Sequence, residues 1–324
     1  MREVIFGIVG TGKIAGDFVR AARASGAGVA AVFSRTQESG ARFAAAHGIP
    51  TVCTDYDAFC RGSGINAVYV ASPNYAHCGH TLAALRAGCH VLCEKPFATD
   101  ADECRRMFAT ARAAGRVLME AMRPAHDPAI ASLAARIADL GSWRRARFVY
   151  RQYSSRYDDF KAGIVQNAFN PRLSNAAVMD IGVYCIAVCL QLLGMPERLE
   201  SSSVFLHNGM EGEGSARFFY GGGAEAELCW SKLRDDPSES YVEGNWGRLS
   251  FVPVSRPRRI TLTDCGGNTE ELPCEAPENN MIYEIGEFIS AVRRGAADAR
   301  FEALTCGCMN LLDRIRAKNG ISFD

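Results

Sequence analysis

The sequence predicts an α/β amino-terminal half of the Rossmann type, a doubly wound parallel sheet, followed by an α+β half built on a large, mainly antiparallel open sheet. Three observations carry this. Val4-Ile5-Phe6-Gly7-Ile8-Val9 is an apolar run that leads directly into Gly10-Thr11-Gly12-Lys13-Ile14-Ala15 and then a helical segment. Apolar runs then alternate with helical segments to about residue 122, the economy of a doubly wound sheet. Beyond that point the text changes to alternating runs separated by glycine-rich turns such as Gly221-Gly222-Gly223 and Gly266-Gly267-Asn268, which is the signature of hairpin-linked strands.

A chain of 324 residues has room for about two domains, and the change of pattern places them at 1–122 and 123–324. Hydrophobic content of 48% and charged content of 22% are those of an ordinary globular protein. Lys+Arg and Asp+Glu both number 36, so there is no global field to draw in nucleic acid or an anionic membrane, and neither partner is expected. The amino terminus has no signal-peptide layout and no apolar run approaches membrane-spanning length, so the expected location is cytoplasmic. The 13 cysteines are scattered, odd in number and set mostly in apolar segments, as buried thiols in a reducing compartment would be. His77 and His80 stand at i, i+3, but no second ligand cluster at zinc spacing accompanies them, and no metal site is expected.

In the first half each strand end carries a candidate. Gly10 permits a tight turn, Gly12 lets backbone N–H groups approach a pyrophosphate, and Ala15 allows the helix to pack on the strand. Thr11, Lys13 and Ile14 complete that loop. Val29-Ala30-Ala31-Val32-Phe33 ends in Ser34-Arg35, where an acid would otherwise bind the adenosine ribose. Arginine there suits a 2′-phosphate, which favours NADP over NAD. Ala67 to Ala71 ends in Ser72-Pro73-Asn74, followed by His77, which either lies near the nicotinamide edge or simply starts a helix. Val91-Leu92-Cys93 delivers Glu94, Lys95 and Pro96 to a strand tip. A lysine held there beside a ligand can donate a proton or stabilise negative charge, and a Glu-Lys pair can equally cap a strand.

In the second half, Arg123 to Pro128 is a breaker cluster before a helix from Ala129 to about Leu140, and a strand is expected over Arg147 to Tyr153. Ser174 to Leu193 reads as one apolar helix, stopped by Gly194 and Pro196. An apolar helix is buried, so Asp180 within it needs a partner, and Tyr184 falls one turn on. Strands are expected at Ser203–Leu206, Ser215–Tyr220, Ala224–Lys232, Ser240–Trp246, Arg248–Val252 and Arg259–Thr263. An amphipathic helix follows at Asn279–Arg294, and a last helix from about Glu302 to Lys318 closes the domain.

Gly10-Thr11-Gly12-Lys13-Ile14-Ala15, Ser72-Pro73-Asn74, Ala87 to Pro96 and Asp180-Ile181-Gly182-Val183-Tyr184, in this order, resemble the glucose-fructose oxidoreductase, inositol dehydrogenase and MocA family over nearly the full length. The tyrosine at position 184, where many members carry histidine, is similar to the dimeric dihydrodiol dehydrogenase and NADP-linked xylose dehydrogenase branch. The resemblance implies hydride transfer between NADP, or NAD, and a sugar, polyol or cyclic diol. It also implies a cis Lys95–Pro96 peptide and a homodimer or homotetramer formed through the second sheet. Ser72, Pro73, Asn74, Glu94 and Lys95 would line the cofactor site. Lys95 would stabilise alkoxide character, Tyr184 would carry the proton, and Asp180 would bind a substrate hydroxyl or fix Lys95. Tyr184 read from its helix alone is an aromatic packed in a core with its hydroxyl on Asp180. Ser174-Asn175-Ala176 replaces a glycine run common in the family, and Arg123 and Ala125 replace an aromatic and an arginine, so the substrate pocket is altered. Arg123 with His126 would either favour an anionic substrate or form a salt bridge at the domain junction. The alternative to an enzyme is a catalytically silent dinucleotide-sensing regulatory protein of the same fold.

Overall fold

The computed structural model describes residues 3–274 and 277–323. Met1, Arg2, Glu275, Ala276 and Asp324, which fall within the expected domain ranges, lie outside it. Two compact units emerge, one holding the chain to Met122 together with Glu278–Cys306, the other Arg123–Pro277 with Gly307 onward.

Among the described residues the first unit carries a six-stranded sheet in the order β3-β2-β1-β4-β5-β6, with every pair parallel. Its strands are β1 (Ile5–Val9), β2 (Gly28–Phe33), β3 (Thr51–Cys53), β4 (Ala67–Val70), β5 (His90–Glu94) and β6 (Leu118–Ala121). The connecting helices are α1 (Lys13–Ala24), α2 (Gln37–His47), α3 (Tyr56–Gly62), α4 (His77–Arg86) and α5 (Ala101–Ala114). Because β1 lies between β2 and β4, strand order reverses beside β1, and ligands of such sheets bind outside the strand carboxyl ends at that point.

The unit's core explains why a distant segment returns to it. Phe18 stacks on Tyr69 with ring centroids 3.6 Å apart, Phe6 meets Phe18 edge-on at 5.0 Å, and Phe288 lies 5.5 Å from Phe6. Phe288 belongs to an amphipathic helix, Met281–Arg294, that buries Met281, Ile285, Phe288 and Ile289. Burying each such side chain contributes roughly 1.5–3 kcal/mol, so this helix is held by the first unit's core. The sequence expectation of an unbroken second domain over 123–324 therefore differs from the observed grouping at Glu278–Cys306.

The second unit contains, among its described residues, an eight-stranded sheet in the order β14-β13-β12-β11-β7-β10-β9-β8. The strands are β7 (Trp143–Arg151), β8 (Arg198–Phe205), β9 (Glu211–Phe219), β10 (Glu225–Ser231), β11 (Ser240–Gly244), β12 (Gly247–Val252), β13 (Arg259–Asp264) and β14 (Thr269–Leu272). Only the β7–β10 pair is parallel among the pairings described. Helices α6 (Arg123–His126), α7 (Pro128–Arg136), α8 (Tyr157–Lys161) and α9 (Val183–Leu193) belong to this unit, and α10 (Met281–Arg294) to the first. The last helix, α11 (Ala299–Asn319), begins in the first unit and ends in the second.

The apolar stretch expected as one helix from Ser174 is not one. Ser174 takes φ 58°, Val178–Gly182 forms a π turn, and regular α geometry starts at Val183. Continuous apolar content reports burial, and it is the same for α and π geometry. Gly182 is required where it stands, since a Cβ there would lie 2.9 Å from the Trp230 ring. Pro171–Leu193 is also long and apolar enough to cross a membrane, with mean hydropathy 2.0, contrary to the expectation from sequence, but 72% of that window is buried inside the protein. The sequence pattern also did not mark α8 or β14. The latter is a polar strand whose Thr269, Glu270 and Glu271 are exposed.

Candidate functional site

The carboxyl edge of the first sheet gathers the glycine turn, Ser34-Arg35, Ser72-Pro73-Asn74 and Lys95, each within two residues of a strand end. Gly10 has φ +105°, and a Cβ on it would stand 2.5 Å from the Ala71 carbonyl oxygen, so the turn admits only glycine. Three other helices of this unit start on side-chain caps: Thr36 accepts from Ser39 N, Asp55 from Ala58 N and Asp100 from Glu103 N. Helix α1 starts on Gly12 with no side-chain cap and no acid in its first turn. Nothing lies within 4 Å of where a Gly12 Cβ would be. Uncapped N–H groups, open space above the backbone and the positive end of the helix fit a dinucleotide pyrophosphate.

The Thr11 and Ser39 hydroxyls lie 3.0 Å apart and tie the turn to the start of α2. Lys13 is exposed and pairs with Asp17 at 2.7 Å, while Ile14 is half-buried. Ser34 is buried and its N–H donates to Cys53 O at 3.0 Å; Arg35 beside it is exposed. Asn74 opens a 3-10 turn behind Pro73.

His77 starts α4, the second of the two expectations for it. It is 1% exposed, with Nδ1 2.9 Å from Pro96 O and Nε2 2.8 Å from Ser72 O. Burial lowers its proton affinity, against the two carbonyls and Glu94. Its job here is to brace the end of β4 against the Lys95–Pro96 peptide, which is cis as the resemblance implied. His80 Nδ1 in turn lies 2.9 Å from the Ser72 hydroxyl. Glu94 is buried, accepting from the Tyr69 hydroxyl and, at 3.2 Å, from Lys95 N. Lys95 itself is half-buried at the tip of β5.

One strand over, β6 carries a group that the sequence pattern did not single out. Glu120, opposite Cys93 on the neighbouring strand, is 4% exposed and accepts from the Thr305 hydroxyl at 2.8 Å. A carboxylate in the otherwise apolar run Val117-Leu118-Met119-Glu120-Ala121 is the signal that was available. Burial pushes Glu120 from 4.5 up to about 7, with the Glu94 charge adding and the Thr305 hydroxyl and Phe97 N–H opposing. Folding therefore raises its proton affinity. The stability this contributes, on the order of 3 kcal/mol, is complete below the unfolded value and is lost as pH rises through about 7. Urea unfolding at pH 5 and pH 8 is expected to show the wild type losing about 2 kcal/mol more than Glu120→Gln across that interval. Parallel pH dependence in the two proteins would contradict this assignment.

In the second unit the π turn and α9 present Asp180 and Tyr184. Single π turns inside helices are frequent at functional sites. Tyr184 is 9% exposed and its ring lies 5.6 Å from that of Tyr150. Asp180 finds the partner that burial demanded in Lys232, Nζ to Oδ2 2.8 Å, a residue that sequence inspection passed over. Glu211, fully buried, accepts from Trp230 Nε1 at 2.6 Å and from Val178 N at 2.8 Å at the start of the π turn. Burial pushes it up to about 7, against Trp230, the Val178 and Ala177 N–H groups and the Lys232 charge. Asn175 Nδ2 donates to Asn167 O at 2.7 Å and to Asn170 O at 3.3 Å, anchoring the preceding loop. Arg123 and His126 are half-buried on α6. Arg256 is lowered by burial and then by the nearby charges of Arg258 and Arg123, with Asp127 and Tyr150 opposing, so Arg123 stands in a cationic group on the Tyr150 side.

A glycine turn, an open helix end and a strand-tip lysine on a six-stranded parallel sheet are the equipment of an NAD(P)-dependent oxidoreductase. Residues 4–122 match the family described as oxidoreductase family, NAD-binding Rossmann fold, GFO/IDH/MocA. The chain is 36% identical over 295 residues to the scyllo-inositol 2-dehydrogenase (NADP(+)) of Bacillus subtilis, covering 91% of this chain and 90% of that one. It is 32% identical to D-xylose 1-dehydrogenase (NADP(+)) 2 of Haloferax volcanii, with 96% of each covered. Among solved structures, a 3-ketoreductase from Actinomadura kijaniata in complex with TDP-benzene and NADP matches with TM-score 0.84 at 25% identity, covering 98% of each chain. The chain belongs to the GFO/IDH/MocA family and is an NAD(P)-dependent oxidoreductase.

Proposed function

We propose that this protein is an NADP-preferring dehydrogenase or reductase that interconverts a secondary alcohol and a carbonyl on a sugar, polyol or cyclic diol. The observation that carries the reading is the edge of the first sheet, where Gly10 and uncapped Gly12 leave a cradle for a pyrophosphate and Lys95 stands on the next strand tip but one. The nicotinamide, when bound, supplies or accepts the hydride. The protein's remaining tasks are to hold the alcohol and move one proton. Lys95, a compact cation, lowers the cost of negative charge on the substrate oxygen. The Tyr184 hydroxyl is proton acceptor in oxidation and donor in reduction. Asp180, paired with Lys232, accepts a hydrogen bond from a substrate hydroxyl. Names of relatives such as scyllo-inositol 2-dehydrogenase (NADP(+)) and D-xylose 1-dehydrogenase (NADP(+)) 2 support both the substrate class and the cofactor.

NADP preference rests on Ser34-Arg35 after β2, with no acid at the position that would bind the ribose hydroxyl. Fluorescence titration is expected to give tighter binding of NADPH than of NADH. Arg35→Ala should weaken NADPH about tenfold or more, as the loss of a charge-assisted phosphate contact does, and leave NADH nearly unchanged. Equal weakening of both nucleotides would remove the phosphate assignment, and failure to bind either would remove the enzyme reading.

A further inference from the structure

Lys232 does not belong to the sequence motifs of the reaction, yet the second unit invests a buried cation in it. Its side chain is 4% exposed, whereas that of Asp180, its partner at 2.8 Å, is 34% exposed. Nζ also donates to Ala168 O at 2.8 Å and lies 4.8 Å over the face of Phe169. The Lys232 backbone is itself pinned, its N–H donating to Gly212 O at 3.0 Å and its carbonyl accepting from Ser154 N at 2.9 Å. On the far side, Glu211 holds the Val178 N–H and the Trp230 indole, which fixes the start of the π turn that carries Asp180.

A buried ion pair is a poor way to gain stability, because desolvation offsets most of the attraction and well-packed apolar residues do as well or better. Here the pair is asymmetric: the lysine is enclosed and the carboxylate reaches the surface. That arrangement fixes the position of the carboxylate at its exposed side. It also couples Asp180 to the Ala168-Phe169 segment, since one ammonium bonds both.

We infer that Lys232 is a positioning residue for the dehydrogenase reaction, holding the Asp180 carboxylate oriented to accept a hydrogen bond from a hydroxyl of the substrate. This deepens the proposed function and rests on it. In the reaction Lys232 acts through Asp180, whereas its bond to Ala168 O is local support for the loop, so the two contributions separate in activity and in stability.

The test is a double-mutant cycle on the full chain with Lys232→Met, Asp180→Asn and the double variant. NADP-dependent turnover is followed on a panel of scyllo-inositol, D-xylose and D-glucose, and NADPH binding is titrated in parallel. Lys232→Met and Asp180→Asn are each expected to lower kcat/KM about a hundredfold, as loss of substrate orientation does. Most of that loss should fall on KM for the alcohol, with the NADPH dissociation constant unchanged. The double variant should match Asp180→Asn within about threefold in kcat/KM, since the lysine has no carboxylate left to position. If Lys232→Met does not fold, Asp180→Asn against the double variant decides alone, because that pair leaves neither charge unmatched in the double variant. A further tenfold loss in the double variant, wild-type kcat/KM in Lys232→Met, or wild-type kcat/KM in Asp180→Asn overturns the inference while leaving the dehydrogenase standing. A wild-type protein that binds NADPH but turns over no alcohol of the panel removes the proposed substrate class, and the inference with it.

Discussion

Lys95→Ala is expected to lower kcat by about a thousandfold while changing the NADPH dissociation constant less than tenfold. The size follows from what the side chain is asked to do. As an alcohol gives up hydride its oxygen passes through alkoxide character, and removing one preorganised donor from such an oxygen costs about 3–4 kcal/mol. A lysine is worth this only if its ammonium is already in place when the charge develops. The structure fixes the backbone from which the side chain extends. The Lys95 N–H is taken by Glu94, Glu94 is held in turn by the Tyr69 hydroxyl, and the carbonyl of the next residue, Pro96, is bonded by His77. Truncation to alanine leaves this backbone brace intact, so the variant should melt near the wild-type temperature and still bind nucleotide. Steady-state turnover and an NADPH titration on the same preparation check both halves. Lys95→Ala turning over within tenfold of wild type would end the assignment of Lys95 to the chemistry.

Much of the first unit was legible because each signal is local. A strand, two glycines and a helix follow one another within a short stretch, and the tips of β2, β4 and β5 announce themselves by a residue just beyond them: Ser34, Ser72 and Lys95. What was not legible depends on residues far apart in the chain. Lys232 at the end of an alternating strand looks like a solvated lysine until β10 is placed beside the π turn. Glu211 has the same character, an acid at the start of a strand that proves to cap another element. His77 was legible as a helix start, but the bonds of its two ring nitrogens to the Pro96 and Ser72 carbonyls were not.

The return of α10 to the first unit was hidden for a related reason. Its amphipathic stripe says that one face is buried but does not say against what, and only the Phe6–Phe288 contact decides it. Lys95, Asp180 and Tyr184, the reaction groups proposed above, come from sequence pattern. The groups that hold them (Glu94, His77, Lys232 and Glu211) acquire their roles from tertiary contacts.

Tyr184→Phe removes a single hydroxyl and is expected to lower kcat by about 10²–10⁴, the range for losing a positioned acid or base. The substitution keeps the ring, so its neighbour Tyr150 at 5.6 Å and the apolar surroundings of α9 are preserved. Stability should therefore stay within about 1 kcal/mol of wild type, the net worth of one hydrogen bond. If Tyr184 were only a core aromatic, the result would reverse: phenylalanine would be nearly neutral for turnover. A second substitution sharpens the distinction. Histidine also carries a transferable proton, so Tyr184→His is expected to retain at least tenfold more turnover than Tyr184→Phe, even though it packs less well in place of a ring that is 9% exposed. Activity that tracks packing, with Phe above His, would assign the ring to the core. Activity that tracks the proton, with His above Phe, assigns the hydroxyl to the chemistry.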